Sequence, residues 1–372
     1  MFDDHLQHIY DRATANSRIR TLTDFHSDGV HLWHEGVRYL SFASNDYLGI
    51  ASSLARLADA SLHGAGASRF VIGNHAAYAH TEALLAQIQH SEAALLFPSG
   101  YQAHLGVIPA LLGKDDLIMM DKYAHACMVD GARLSGATVR RFRHNDLQHL
   151  STLLAKHRSH ARACMILTET VFSMDGDRAP LHALRALADS YDAWLMVDDA
   201  HGLGIPSSDS IVPIEVHTGT CSKSLGMIGG YVCGSRLLID TLTQSARSLL
   251  FTTALPEAIV MRIAHGLDIL MREPERGIKV MQLAQRFCAQ CHLPVPSSPI
   301  IPIILGSNEH ALSVHYALRE LGMWVPAIRP PTVPEGTARL RISLSASHTE
   351  DQIDLLADYI ARSDRLVKKP IG

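Results

Sequence analysis

Short apolar runs alternate with longer segments of helical period along the first 255 residues. Segments such as HTEALLAQIQH and LHALRALADSY have the spacing of helices. The strand candidates between them are AALLF (93–97), LIMMD (117–121), CMILTE (164–169), AWLMVDD (193–199) and GGYVCG (229–234). Strands that are apolar throughout are buried on both faces, so the pattern predicts an α/β fold with a parallel or mixed sheet between helices.

The pattern changes after residue 255. Two long helical stretches, 256–272 and 277–290, precede the strand candidates IIPIIL and ARLRISLS and a final helix, DQIDLLADYIARS. This order is typical of a smaller α+β domain. We therefore predict an N-terminal segment (1–40), a large domain (41–255) and a small C-terminal domain (256–372).

Composition narrows the class of partner. Lys and Arg total 33 against 37 Asp and Glu, so the formal net charge is -4 and offers no basic surface to nucleic acid or an anionic membrane. The first residues, MFDDHLQHIY, are acidic where a signal peptide needs a basic start, and no apolar run reaches the roughly 18 residues of a membrane span. We expect a cytoplasmic protein that binds small molecules.

One short motif suggests different chemistry. CAQCH at 288–292 matches the C-x-x-C-H pattern of covalent haem attachment. It ends a helix-like stretch in which Cys288 and Cys291 share one face, as small apolar residues do. A single CxxC also lacks the second pair of a typical zinc site. We favour the apolar interpretation over haem or metal.

Polar residues follow the strand candidates, at the sheet edge where α/β proteins carry their chemistry. FPSGYQAHLG (97–106) predicts a strand, a Ser-Gly turn and a helix start whose N–H groups suit a phosphate. The other three segments are TETVFSMDGD (168–177), MVDDAHGLG (196–204) and TGTCSKSLG (218–226). They present these side chains at strand ends: Glu169, Ser173, Asp198, Asp199, His201, Thr220 and Lys223.

Together these residues match the needs of a pyridoxal phosphate enzyme. The aldehyde of that cofactor needs an amine, its pyridine nitrogen needs a carboxylate and its phosphate needs backbone donors. Taken singly, a strand-end Asp is often a helix cap, Ser-Gly is a common turn and a lone lysine is usually solvated. Four such features at successive strand ends favour the functional interpretation.

The motifs also resemble a known family over nearly the whole chain. SNDYLG (44–49), FPSGYQAH, ETVFSMDGD, VDDAHGLG and the lysine segment resemble the α-oxoamine synthases, which are fold-type I pyridoxal phosphate enzymes. The resemblance implies a large domain with a mostly parallel seven-stranded sheet flanked by helices, plus a smaller C-terminal α+β domain. AIRPPTVPEGTARLRISLSASH (327–348) resembles the biotin-pathway branch of that family.

The resemblance implies roles for matching residues near the cofactor. Lys223 would form the imine with the aldehyde and later move the Cα proton, and Asp198 would pair with the pyridine nitrogen. His125 would stack on the ring and bind substrate. The remaining cofactor residues would be His201 and Ser173 at the ring oxygen, Glu169 beside them, Gly100, Tyr101 and Thr220 at the phosphate, and Thr253 reaching the phosphate from a neighbouring subunit of a homodimer.

For the substrate, the resemblance points to Thr332 and to an arginine that binds a carboxylate. Arg341 is a better candidate for that arginine than Arg329 or Arg339, and an N-terminal substrate arginine aligns with Arg18 or Arg20. The implied reaction is a decarboxylating condensation of L-alanine with a pimeloyl thioester of CoA or acyl carrier protein.

Two departures from the family pattern accompany this resemblance. TCSKSLG has Ser222 where relatives usually have glycine before the lysine, and the stretch between His201 and Thr220 is shorter than usual. Neither removes a group that the chemistry requires. The alternatives are a catalytically silent partner subunit, which the retained Lys223, Asp198 and His201 disfavour, and a related acyltransferase that uses another amino acid or thioester.

Overall fold

The structure, a computed structural model, describes residues 26–27, 30–51, 64–207 and 211–362. Arg18 and Arg20 lie outside the described residues. The chain divides into two compact units. The large unit comprises residues 48–173 and 177–279, and the small unit comprises residues 1–47, 174–176 and 280–372. The domain boundaries at residues 40 and 255 stay a prediction.

The strands in chain order are β1 (His26–Ser27), β2 (His31–His34), β3 (Val37–Ser41), β4 (Ala93–Phe97), β5 (Leu117–Asp121), β6 (Thr138–Phe142), β7 (Cys164–Glu169), β8 (Trp194–Asp198), β9 (Val216–Thr220), β10 (Gly230–Gly234), β11 (Ile300–Gly306), β12 (Met323–Trp324), β13 (Ala327–Ile328) and β14 (Ala338–Ser343).

The α-helices are α1 (Ala76–Ile88), α2 (Gly100–Leu111), α3 (Ala126–Ser135), α4 (Leu147–His157), α5 (Leu181–Ser190), α6 (Arg236–Ser245), α7 (Arg247–Leu250), α8 (Glu257–Arg272), α9 (Glu275–Gln290), α10 (Asn308–Glu320) and α11 (Glu350–Arg362). A π-helical turn spans Arg69–Gly73 and a 3₁₀ turn spans Arg158–His160. Within the described residues, the helices are too short or too polar to cross a bilayer.

The large unit is built on a seven-stranded sheet in the order β4-β10-β9-β8-β7-β5-β6. Strands β5 to β9 are parallel, whereas β10 is antiparallel to both of its neighbours. This confirms the predicted mostly parallel sheet. Every residue of β4, β5, β7 and β10 is buried, as the continuously apolar runs require.

Apolar clusters cover both faces of this sheet because successive side chains of a strand point to opposite sides. Met120 and Met196 pack with helices α2, α3, α6 and α7 on one face. Met119 and Leu195 pack with α4 and α5 on the other. The register places Glu169 beside Asp198 and Asp198 beside Thr218, so polar side chains form a row where the parallel strands end.

Two strands of this sheet carry weak sequence signals. The edge strand β6, TVRRF, has only one buried residue, Phe142. Because its two arginines interrupt the apolar pattern, its pairing with β5 could not be predicted from its sequence. Strand β9, VHTGT, is polar yet occupies the middle of the sheet. Both belong to the sheet through their neighbours rather than through their own composition.

The small unit contains two sheets, ordered β1-β2-β3-β12 and β11-β14-β13. Strands β11 and β14 pair antiparallel, and all of β14 is buried. Cys288 lies on α9 and Cys291 lies in the turn directly after it. Both are buried free thiols, and burial raises the pKa of each; the Cys291 thiol lies 3.8 Å from the carbonyl of Ala357. Their burial confirms the interpretation of the two cysteines as small apolar residues at the end of a helix.

Candidate active site

The start of α2 forms a cradle of backbone donors. Ser99 caps the helix, because its hydroxyl accepts a hydrogen bond from the Gln102 amide at 3.2 Å. The first N–H groups of a helix have no partner inside the helix and favour an anion. A Cβ on Gly230 would collide with the backbone nitrogen of Gly100, so only glycine lets β10 approach the cradle so closely.

Two hydroxyls lie at the end of β9, and that of Thr220 is beside this cradle. A Cβ on Gly100 would lie 3.2 Å from the Cβ of Thr220, at the end of β9. The hydroxyl of Thr220 lies 2.8 Å from that of Ser222 and accepts a hydrogen bond from the Ser222 amide at 3.2 Å. The departure at Ser222 therefore adds a second hydroxyl beside Thr220.

Lys223 follows directly and contacts His201. Its Nζ lies 2.7 Å from the Nε2 of His201, which comes three residues after the end of β8. An imidazole nitrogen at this distance can accept a hydrogen bond from the amine. The structure therefore brings together two residues that are 22 positions apart in sequence.

Asp198 ends β8 and is buried. Its Oδ1 accepts a hydrogen bond from the Ala200 amide at 2.9 Å, and its Oδ2 lies 3.4 Å from Nε2 of His104. The neighbouring Glu169 is also buried, and burial raises its pKa well above the usual range, as does the Asp198 charge, while Lys223 lowers it. Two adjacent buried carboxyls of this kind favour one charge rather than two.

His125 caps α3 and is fixed from two sides. Its backbone amide donates to Glu169 at 2.8 Å, and its Nδ1 accepts from the Cys127 amide at 3.3 Å. Burial lowers the pKa of His125, Asp198 opposes this shift, and Lys223 adds to it. With Nδ1 as an acceptor, the neutral ring carries its proton on Nε2.

Asp199 points to the opposite side of the sheet from Asp198. Its Oδ2 accepts from the Gln89 side chain at 3.2 Å and lies 3.8 Å from the Nε2 of His217. Burial raises the pKa of Asp199 and lowers that of His217. The two carboxylates of the DD pair therefore occupy different environments.

Three further predicted residues are Tyr101, Ser173 and Thr253. The hydroxyl of Tyr101 donates a hydrogen bond to the carboxylate of Asp130, so the group that Tyr101 can offer to a phosphate is its backbone amide, in the first turn of α2. Ser173 is half-buried in the turn after β7, and Thr253 is exposed after α7. The described chain thus brings Lys223, His201 and Asp198 together and leaves Thr253 on its surface.

In the small unit, two arginines on β14 differ in their partners. Arg339 pairs with the Asp175 carboxylate. The buried Arg341 donates to Asn45 at 2.9 Å and to the Ser343 hydroxyl at 2.6 Å, and it lies 3.4 Å from the Tyr47 hydroxyl. Thr332 is exposed, with its amide bonded to the Arg329 carbonyl.

Sequence reasoning missed one residue of this site. His104 lies one turn into α2 within the quoted FPSGYQAH motif, is 1% exposed and faces Asp198. The spacing of four residues could have indicated it, because His104 lies one helical turn after Gly100 and so on the same face of α2.

The donors at this edge of the sheet fit pyridoxal 5′-phosphate. The α2 cradle with the two hydroxyls can hold a phosphate, Asp198 can pair with a protonated ring nitrogen, and Lys223 offers an amine. All of these groups belong to the large unit.

Comparisons with known proteins agree with this arrangement. The family described as aminotransferase class I and II matches residues 37–360. An 8-amino-7-oxononanoate synthase of Methylobacterium nodulans is 48% identical over 93% of this chain and 93% of its own. One of Methylorubrum populi is 50% identical over 88% of this chain and 85% of its own.

Solved structures extend the likeness. A Sphingomonas wittichii serine palmitoyltransferase shares 26% identity with a TM-score of 0.87, over 98% of this chain and 97% of its own. An 8-amino-7-oxononanoate synthase of Francisella tularensis shares 28% identity with a TM-score of 0.72, over 88% of this chain and 98% of its own. The chain therefore belongs to the aminotransferase class I and II family and, within it, to the group of 8-amino-7-oxononanoate synthases.

Proposed function

We propose that this chain is a pyridoxal 5′-phosphate-dependent 8-amino-7-oxononanoate synthase. It condenses L-alanine with a pimeloyl thioester and releases carbon dioxide and the free carrier, a step of biotin biosynthesis. The observation that carries the proposal is the contact of Lys223 with His201 beside the buried Asp198, at the carboxyl ends of β8 and β9. The curated relatives with the same name support it.

When bound, the cofactor supplies an aldehyde that condenses with amines and a pyridine ring that withdraws electrons from the Cα of the amino acid. The Nζ of Lys223 would hold the aldehyde, and the same amine would move the Cα proton of the amino acid. His201 holds Nζ in position, because its Nε2 lies 2.7 Å away and can accept a hydrogen bond from the amine.

The other residues hold the cofactor in a fixed orientation. Asp198 stabilises a proton on the ring nitrogen by its negative charge. His125, whose position is fixed by the Glu169 and Cys127 contacts, would stack on the ring. The amides of Gly100 and Tyr101 and the hydroxyl of Thr220 would hold the phosphate, and Ser173 and His201 would hold the ring oxygen.

Arg341 binds the carboxylate of a substrate, with Thr332 and either Arg18 or Arg20 as further substrate residues. Its guanidinium is oriented by hydrogen bonds to the neutral oxygens of Asn45 and Ser343, and a guanidinium can bind a carboxylate through two parallel hydrogen bonds. Arg339 is a poorer candidate because the Asp175 carboxylate balances its charge.

We also propose a homodimer. Phe70, Val71 and Ile72 of the π-helical turn are 47%, 72% and 69% exposed, and Phe251 is 73% exposed. Helix α7 packs on this turn, so these residues form one apolar surface, which a partner subunit would cover. Thr253 lies two residues after Phe251, which is consistent with its reaching the phosphate of the neighbouring subunit. The cytoplasm is the proposed location.

The test is the condensation assay on purified enzyme with L-alanine, glycine and L-serine, each with pimeloyl-CoA and pimeloyl acyl carrier protein. We expect the highest kcat/KM for L-alanine, although one methyl group discriminates by only about 1–3 kcal/mol. Lys223→Ala should abolish turnover at an unchanged Tm. A preference for glycine or serine would favour the alternative, a related α-oxoamine synthase.

Near-wild-type turnover by Lys223→Ala would contradict the proposal itself. Turnover by the unsubstituted chain on its own would exclude the silent partner subunit. Product is identified by its mass, and carbon dioxide release is measured in parallel to confirm the decarboxylation.

A further inference from the structure

His104 makes contacts that a residue serving only to fill the core does not need. The side chain is 1% exposed, and Nδ1 lies 2.8 Å from the carbonyl oxygen of Gly100 in its own helix. A carbonyl oxygen can only accept, so Nδ1 carries a proton. The ring is therefore fixed in orientation, with Nε2 directed at the ends of β8 and β9.

Two oxygens face this nitrogen. Nε2 of His104 lies 3.1 Å from the hydroxyl of Thr218 and 3.4 Å from Oδ2 of Asp198. The Thr218 hydroxyl has its own acceptor, the carbonyl of Val197 at 3.2 Å. Because the Thr218 hydroxyl donates its proton to Val197, its oxygen can only accept from His104. A proton on Nε2 of His104, directed towards the Thr218 and Asp198 oxygens, therefore satisfies the ring nitrogen and both oxygens.

Asp198 is thus held at both oxygens. The Ala200 amide binds Oδ1, and the His104 ring lies against Oδ2. These two contacts fix the plane of the carboxylate, and a carboxylate held in a fixed plane can accept a hydrogen bond from a protonated pyridine nitrogen without reorganising. Besides His104, the described ionisable groups that interact electrostatically with Asp198 are His125, Cys127, Glu169, Asp199 and His217.

We propose that His104 is a positioning residue that acts through Asp198: it holds the carboxylate in the plane required by the ring nitrogen of the cofactor. This inference rests on the proposed role of Asp198. It adds a residue of α2 to the machinery, so the helix that supplies the phosphate cradle also supports the carboxylate at the far end of the cofactor.

The test compares His104→Gln with His104→Leu. A glutamine amide can place an N–H near the position of Nε2, whereas leucine fills a similar volume and donates nothing. The Kd of each apoprotein is measured by the change in visible absorption for pyridoxal 5′-phosphate and for its 1-deaza analogue, which has a carbon in place of the ring nitrogen. The ratio of the two Kd values reports on the ring nitrogen alone.

We expect His104→Leu to raise the Kd for pyridoxal 5′-phosphate about 10-fold or more, the size seen when residues that orient metal ligands are removed. The Kd for the analogue should stay unchanged, and His104→Gln should restore most of the difference. The control is His348→Leu, which removes an equally buried histidine of the small unit and should leave the ratio of Kd values unchanged.

Equal changes for both cofactors in His104→Leu, or no change for either, would overturn the proposal. If His104→Leu does not fold, Thr218→Val replaces it, with a smaller loss expected for pyridoxal 5′-phosphate only; an unaltered ratio there would also overturn it. Failure of the proposed function has a different signature, because the unsubstituted protein would then not bind pyridoxal 5′-phosphate through Lys223.

Discussion

Asp198, the last residue of β8, and Asp199, the residue after it, are neighbours in sequence but have different surroundings. Asp198 lies with His104 and Glu169 at the row of strand ends, whereas Asp199 lies on the other side of the sheet with Gln89 and His217. Both are buried. Adjacent side chains of extended backbone point to opposite faces of a sheet, so two neighbouring carboxylates meet different groups. The role of each carboxylate therefore has to be inferred from the groups around it.

Replacing each of the two aspartates by asparagine should affect kcat very differently, and the Asp198 variant should show the largest loss. Asp198→Asn keeps the shape and loses the charge beside the ring nitrogen, so kcat should fall about 10³-fold or more. Asp199→Asn should leave kcat within about threefold, because asparagine can still accept the Gln89 hydrogen bond. Steady-state kinetics and Tm are measured for both variants.

The Tm of the Asp199→Asn variant gives a second test of the difference between the two aspartates. Burial raises the pKa of Asp199, so folding favours its neutral form, and the Asp199→Asn variant, whose new side chain is neutral, should be at least as stable at neutral pH. A greater loss of kcat in Asp199→Asn than in Asp198→Asn would reverse the assignment of the two carboxylates.

The sequence predicted this part of the molecule well for a physical reason. Strands buried on both faces must be apolar, so β4, β5, β7 and β8 could be predicted from composition, and Asp198 lies at the end of β8 with His201 following it. Lys223 follows the polar strand β9, whose own residues give only a weak signal. Which of the two aspartates faces His104 depends on the sheet register, which has no local signal. The family resemblance rather than the pattern selected Asp198.

Other features depended on tertiary contacts. Strand β6 is a polar edge, and its pairing with β5 rather than its own residues makes it a strand. His104 acquires a role only because α2 brings it to Asp198, 94 positions away by the residue numbers. Helical spacing could have flagged His104 as facing the sheet, but not which carboxylate it meets.

A second contrast between like residues lies on β14. Arg341→Ala should raise the KM for L-alanine or the pimeloyl thioester about 10- to 100-fold, corresponding to the loss of one charge-assisted contact of about 1.5–3 kcal/mol. Arg339→Ala removes the partner of Asp175 and should lower Tm with little change in KM. Separate KM titrations of the two substrates decide which carboxylate Arg341 binds, and unchanged values for both would contradict its role.

His144, like His104, contacts carboxylates, but its partners are Asp121 and Asp177, and we expect it to affect stability. Burial alone would lower its pKa, but hydrogen bonds to Asp121 and Asp177 raise the pKa of His144 to about 10. The folded pKa thus exceeds the unfolded value of about 6.5, so this stabilisation is complete below about pH 6.5 and is lost as pH rises towards 10.

Chemical denaturation from pH 6 to 10.5 measures that loss. The free energy of unfolding should decline over this window in the unsubstituted protein, and the decline should be smaller in His144→Asn. Identical pH dependence in both proteins would show that the two carboxylates do not hold a charged imidazole.

The smallest effect is expected at Ser222. Its hydroxyl lies 2.8 Å from that of Thr220, which is already hydrogen-bonded to the Gly229 carbonyl at 2.9 Å. Ser222→Gly should therefore change the Kd for pyridoxal 5′-phosphate by less than about threefold, since the helix cradle and Thr220 remain. A larger loss would make Ser222 a principal phosphate ligand of this chain.

The site at which the cofactor attaches covalently tests the role of Lys223 beside Asp198. The protein is incubated with pyridoxal 5′-phosphate, reduced with borohydride, digested and analysed by mass spectrometry. We expect a single modified residue, Lys223, and no label at position 223 in Lys223→Ala. Label on another lysine, such as Lys122 or Lys279, or no label on any residue, would contradict it.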